Sequence, residues 1–182
     1  MELKNQGTWQ MAVISPDAER ALGSDFLARL RTADLYLPLR TIVDEGWVME
    51  DGANLLAALR DAYFGDRKRS ATVGHYESAV NGRGIPDDDI NASGPDRVCQ
   101  LMRRGVAFAW AALYAAKSSE RKPLLMSRIS MEPTLFDSNV VTGYVTIFSS
   151  DFADALGVGP LHEKRGVQIL LESSDCPHPL PG

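Results

Sequence analysis

The stretch LLMSRISMEPTLFDSNVVTGYVTIF, residues 124–148, is where the pattern of the chain changes. Leu124 to Ile129 and Val140 to Phe148 read as strands, the second rich in β-branched and aromatic residues. Between them Pro133 cannot donate to a ladder and Asp137-Ser138-Asn139 supplies turn chemistry, so SMEPTLFDSN is expected to connect a hairpin. Just upstream, the polar break Ser118 to Lys122 closes the strongest helical pattern, which opens at Pro95-Asp96 and runs to about Lys117. Val98, Leu101, Met102, Val106, Ala109, Trp110, Leu113 and Tyr114 keep helical spacing there. Ala107, Phe108, Ala111 and Ala112 fill much of the remaining circumference, which predicts a central helix buried on most sides. Downstream, Asp151 starts a short helix ending near Gly157, and Gly166 to Glu172 reads as a third strand. The tail SSDCPHPLPG, 173–182, carries three prolines and is expected to be irregular.

Further upstream, the apolar segment Met11 to Ile14 ends at Ser15-Pro16-Asp17, where Ser15 suits a helix cap and Pro16 the first helical position. Ala18, Leu22, Phe26 and Leu30 share one helical face, and Gly23-Ser24-Asp25 either continues that helix or divides it. Pro38 within the apolar run Leu35 to Val43 favours an edge strand or an extended connector. Asp51 is read as the cap of a helix carrying Ala53, Leu55, Leu56, Leu59, Ala62 and Tyr63, with Gly65 as its stop. Residues 65–96 carry Gly74, Gly82, Gly84, Pro86, Gly94 and Pro95, an acidic run and few large apolar residues, and are expected to form a long loop that is functional, mobile or hides a short strand around Ala71 to Tyr76. The expectation is therefore α+β, one domain over 1–182, with a helix-rich N-terminal two thirds packed on a small antiparallel sheet from the C-terminal third.

A hydrophobic fraction of 45% and a charged fraction of 24% suit a globular chain. The formal net charge of −5 argues against nucleic acid as a partner, and the basic run Arg67-Lys68-Arg69 reads as a solvated segment. The longest apolar run, Gly105 to Ala116, falls short of the roughly 20 residues a bilayer requires, so no membrane is expected. Cys99 and Cys176 make no disulfide framework, and the first residues lack a signal-peptide pattern, which together suggest the cytoplasm. His75, His162 and His178 are scattered without metal-ligand spacing, and NGRGIP, 81–86, lacks the Lys-Ser/Thr pair of a phosphate loop; neither a metal nor a cofactor is expected.

The hexapeptide Ser130-Met131-Glu132-Pro133-Thr134-Leu135 resembles the nucleophile motif of the signal peptidase and LexA-type self-cleaving serine peptidases. That resemblance implies Ser130 as nucleophile and a lysine as general base, for which Lys164 is the candidate after the serine. Such a pair works only when the lysine is desolvated enough to be neutral. Where the family has Gly-Asp after the motif, this chain has Ser138-Asn139, and only the last third of the chain takes part.

With no catalytic constellation elsewhere, the leading expectation is a small acidic interaction module of bacterial-looking composition. It would bind and inhibit or scaffold a protein partner, as immunity or defence-accessory proteins do. Asp87, Asp88 and Asp89 would meet a basic partner surface, with Trp47 as an exposed anchor. The serine–lysine hydrolase is the alternative, and a ligand-sensing pocket between the central helix and the sheet a third possibility. Nothing in the sequence sets the oligomeric state.

Overall fold

A computed structural model of the chain describes residues 12–119, 121–134, 136–137, 140–157 and 166–182. In chain order these form β1 (Val13–Ile14), α1 (Pro16–Leu22), α2 (Leu37–Asp44), β2 (Trp47–Glu50), β3 (Ala53–Leu56), α3 (Ala57–Asp61), α4 (Val73–Val80), β4 (Arg83–Gly84), α5 (Gly94–Ala116), β5 (Leu125–Pro133), β6 (Val141–Ser149) and β7 (Val167–Glu172). Short 3-10 turns join several of them. The chain is α+β, and its main sheet is antiparallel in the order β1-β7-β5-β6-β4.

Two of those five strands, β1 and β4, come from the N-terminal two thirds expected to be helix-rich, and a separate β2–β3 hairpin lies there too. The expected division into helices first and sheet last is therefore only partly met. Neither β1 nor β4 exceeds two residues, too short for an alternating pattern to be read.

Packing follows from strand alternation. Ser127, Ile129 and Met131 of β5, Val145 and Ile147 of β6, and Ile169 and Leu171 of β7 are buried on the face that meets α5. Each large side chain such as Phe108 or Trp110, both fully buried on α5, contributes about 2 kcal/mol by leaving water. Gly105 lies where α5 crosses the sheet. A Cβ there would come within 2.5 Å of Ile85 Cδ1 and 3.1 Å of Ile129 Cγ2, so any larger residue would need Ile85 and Ile129 to shift for the helix to settle this close. The C-terminal tail is bound to the same helix: Trp110 Nε1 donates to the His178 carbonyl at 2.9 Å and Lys117 Nζ to that of Cys176 at 2.7 Å.

Several local expectations change. The helix expected from Asp51 begins as a hairpin, because Asp51 (φ 49°) and Gly52 (φ 79°) adopt the left-handed conformations of a two-residue β-turn and pair β2 with β3. Only Ala57–Asp61 of that segment is helical. Pro38 sits in the first turn of α2, where its missing N–H costs nothing, rather than in a strand. The supposed loop 65–96 contains α4, started by Thr72, whose hydroxyl accepts from the His75 amide at 3.1 Å. The strand β5 continues through Ser130 to Pro133, so the connection begins four residues later than the sequence suggests. Pro133 is tolerated because β7 pairs only as far as Met131, leaving that end of β5 with one neighbour. No described helix is long and apolar enough to cross a membrane.

Candidate functional site

The position of α4 determines which surfaces remain open. Glu77 and Asn81 lie one turn apart and enter the gap between β3 and the end of β6; both are completely buried. Glu77 accepts from the amides of Asn54 and Ser149, each at 2.7 Å, from Asn54 Nδ2 at 3.3 Å and from the Ser149 hydroxyl at 2.8 Å. Asn81 Oδ1 accepts from the Leu56 amide at 2.9 Å, while its Nδ2 donates to the carbonyls of Asn54 at 2.8 Å and Ile147 at 3.1 Å. A carboxylate and a carboxamide thus do what a missing strand would do between hairpin and sheet. All the partners are uncharged, so the Glu77 charge is met by donors alone.

This arrangement has a consequence for β2. Since Asn54 and Leu56 send their amides to α4, away from the hairpin, their opposite residues Met49 and Trp47 form non-hydrogen-bonded pairs and direct their own amides outward. β3 is covered, whereas β2 pairs on one side only among the described residues. A cleft of about 380 Å³ lies against the hairpin, lined by Trp47, Val48 and Met49 of β2, Asn54 of β3 and the segment carrying Ser119, Arg121 and Pro123. Val48 and Met49 are 43% exposed and Leu124, next to Pro123, is 71% exposed. Arg121 contacts the Met49 sulfur at 3.0 Å.

Trp47, expected as an exposed anchor, is half-buried. Its indole N–H donates to the Ala112 carbonyl at 2.9 Å and fastens the hairpin to α5. The acidic run is occupied as well. Asp87 pairs with Arg97, Asp89 receives both terminal nitrogens of Arg104 at 2.8 Å, and Asp88 accepts from the Tyr36 hydroxyl at 3.4 Å. Arg104 also stacks 4.0 Å above the Tyr36 ring. The Arg97 and Arg104 side chains are mostly buried, so the carboxylates that cover them complete a local charge balance. The Arg104 hydrogen bonds hold the Asp89 carboxyl below its usual range. Burial, followed by Asp88 and Asp89, pushes the Tyr36 phenol up. Elsewhere, Arg60 and Tyr76 hold the Glu50 carboxyl low. Burial raises the Cys176 thiol far beyond reactivity near neutrality.

Ser130 lies in the middle strand on the sheet face opposite α5, level with Tyr144 on one side and Gln168 on the other. It shares a shallow cleft of about 330 Å³ with Arg128, Glu132, Thr142 and Tyr144. None of these is a lysine or histidine. Lys164 falls outside the described residues, as does His162. Among the described residues no group of three or more His, Cys, Asp or Glu side chains is placed to hold a metal.

The Asp51-Gly52 pair was the available signal for the open hairpin, being a strong two-residue turn dipeptide between apolar runs. Glu77 and Asn81 had no comparable signal, since their role depends on two distant backbone edges. Compared with known proteins, the chain matches no family model, no curated protein and no solved structure.

Proposed function

We propose that this chain is a protein-interaction module that captures an extended segment of a partner along the free edge of β2. It then inhibits or scaffolds that partner, in the manner of immunity or defence-accessory proteins. The observation that supports this reading is the asymmetry of the hairpin: α4 occupies the outer amides of β3, whereas the outward groups of Trp47 and Met49 border a partly apolar cleft. An added strand would satisfy those main-chain groups, and alternate side chains would enter the cleft beside Trp47 and Met49. Arg121 at the cleft favours a partner segment carrying a carboxylate. In this reading Asp87, Asp88 and Asp89 act indirectly, by holding their segment on α5.

The test is selection from a displayed library of random peptides, followed by affinity measurement on the Met49→Pro variant. Proline removes an outward donor without removing a bond to β3, so the fold should persist while affinity falls by about tenfold or more. Selected peptides should alternate apolar residues with polar or acidic ones. Equal affinity in Met49→Pro, with an unchanged circular dichroism spectrum, would dismiss the strand-addition reading.

A further inference from the structure

The sheet face turned away from α5 holds a second site, independent of the β2 edge. Arg128 stands in the middle strand, between Thr146 of β6 and Leu170 of β7. Six arginines meet a carboxylate, and the half-buried Arg40 and Arg67 donate to backbone carbonyls, but Arg128, also half-buried, has neither an ion pair nor a hydrogen bond among the described residues. A guanidinium with restricted access to water and no anion leaves planar donors unused.

Arg128 separates two compartments. The inner one, about 160 Å³, is lined by Ser78, Thr146, Phe148 and Leu156 together with Arg128. α4 forms its wall, with Gly74 against Phe152 and Gly82 against the Tyr144 hydroxyl, so that Ser78, four residues from each, faces the space between. The Ser78 hydroxyl is buried and has no hydrogen-bond partner, a cost of about 1–3 kcal/mol unless something completes it. The outer compartment is the Ser130 cleft, where the half-exposed Tyr144 ring and the hydroxyls of Ser130 and Thr142 surround a polar space ending at Glu132.

The geometry points to a binding site for a phosphate ester of a small hydroxylated molecule, with the phosphate in the inner compartment and the polar body along the outer one. The inner compartment offers a forked cation and two hydroxyls and, among the described residues, is lined by no acidic group, which suits an oxyanion that accepts several hydrogen bonds at once. A carboxylate would leave part of that donor set unused. Glu132, at the far end, is placed to accept from a hydroxyl of the body. Ser130 then serves as a contact to the ligand body, which gives a role to the one motif that the β2 edge does not involve.

Inorganic phosphate, acetate and chloride are the probes, at matched ionic strength, read by backbone amide shifts and by thermal unfolding of the full chain. Phosphate should shift resonances at residues 78, 128, 130, 144 and 146 and raise the melting temperature, with acetate binding several-fold more weakly and chloride having no effect. Arg128→Gln should weaken phosphate binding by at least about tenfold, the loss expected when hydrogen bonds to a charged group disappear. Ser78→Ala leaves no new unpaired atom, so it should fold normally and still bind phosphate several-fold more weakly. Shifts spread over other arginines, the same affinity in Arg128→Gln, or acetate binding as tightly as phosphate would overturn the assignment.

Discussion

Glu77 has four donors and, among the described residues, no ion-pair partner, and its contribution lies in the backbone groups it satisfies. Truncation would leave the Asn54 and Ser149 amides without acceptors in a site closed to water, at about 1–3 kcal/mol for each. Glu77→Ala is therefore expected to cost about 3 kcal/mol or more, measured as a lower urea midpoint. Glu77→Gln should recover only part of that, because the new NH2 group faces donors. A loss below about 0.5 kcal/mol for Glu77→Ala would mean that water replaces the carboxylate. Ser127 provides a contrast on the buried face of β5, where its hydroxyl is enclosed without a partner. The same residue type is satisfied at Ser15, which accepts from the amides of Ala18 and Gln168 and donates to the Gly166 carbonyl. Whether a buried serine is costly or supportive depends on which backbone edge lies beside it, which its own sequence neighbours do not determine.

Among the elements, α5 was the most legible, because an apolar surface spread over 23 residues leaves no competing period. Its glycine carries information that helix propensity alone would misread. Alanine is better than glycine in a helix interior by about 1 kcal/mol, so Gly105→Ala would be stabilising on an isolated helix. Here the added methyl meets Ile85 and Ile129, and Ile85 is itself held between α5 and β6 by Gly143, where a Cβ would lie 2.6 Å away. Gly105→Ala is expected to destabilise by about 1–3 kcal/mol despite the propensity gain, checked by thermal or chemical unfolding. A net gain would show that Ile85 can withdraw without cost. The β2–β3 hairpin and α4 were read incorrectly for related reasons. Ala53, Leu55, Leu56 and Leu59 fit a helical face as well as a buried strand leading into a helix, and the short run does not separate the two periods. α4 is only eight residues long and includes Gly74, so its apolar content resembled that of a loop. Its burial comes from lying against β3 and β6, both distant in sequence.

At the scale of the molecule, ion pairs tie connecting segments to α5, Asp34 to Arg103, Asp87 to Arg97 and Asp89 to Arg104, and the strand β2 to α3 through Glu50 and Arg60. The Asp89 and Glu50 carboxyls lie below their ordinary values in the folded chain, held there by arginine hydrogen bonds, joined at Glu50 by one from Tyr76. A carboxyl depressed by folding contributes stability above its unfolded value, near 4, and that contribution disappears as pH falls toward the folded value. The urea midpoint should accordingly decline as pH drops from about 5 to 3, and Glu50→Gln combined with Asp89→Asn should flatten that part of the profile. An unchanged slope in the double variant would assign acid sensitivity to other groups. The same pairing engages the acidic run, expected to meet a partner surface, within the chain itself. The three consecutive aspartates look exposed in sequence because their partners are distant: the arginines of Asp87 and Asp89 follow 10 and 15 residues later, and Tyr36, the partner of Asp88, lies 52 residues before it.

The sequence by itself determined the α+β class, the long central helix, the three long strands and the apolar residues that fill the core, because each depends on a local period or a local cap. Ser15-Pro16 starting α1 and the alternation of β6 belong to the same group. Only the tertiary structure decided that β1 and β4 complete the sheet, that Glu77 and Asn81 bridge two strands, that β2 is the open edge, and that Arg128 and Ser78 face one cavity. Each of those features joins groups far apart in the chain. The energy that selects them comes from satisfying backbone edges and burying side chains across those distances, and no short window of residues contains both partners.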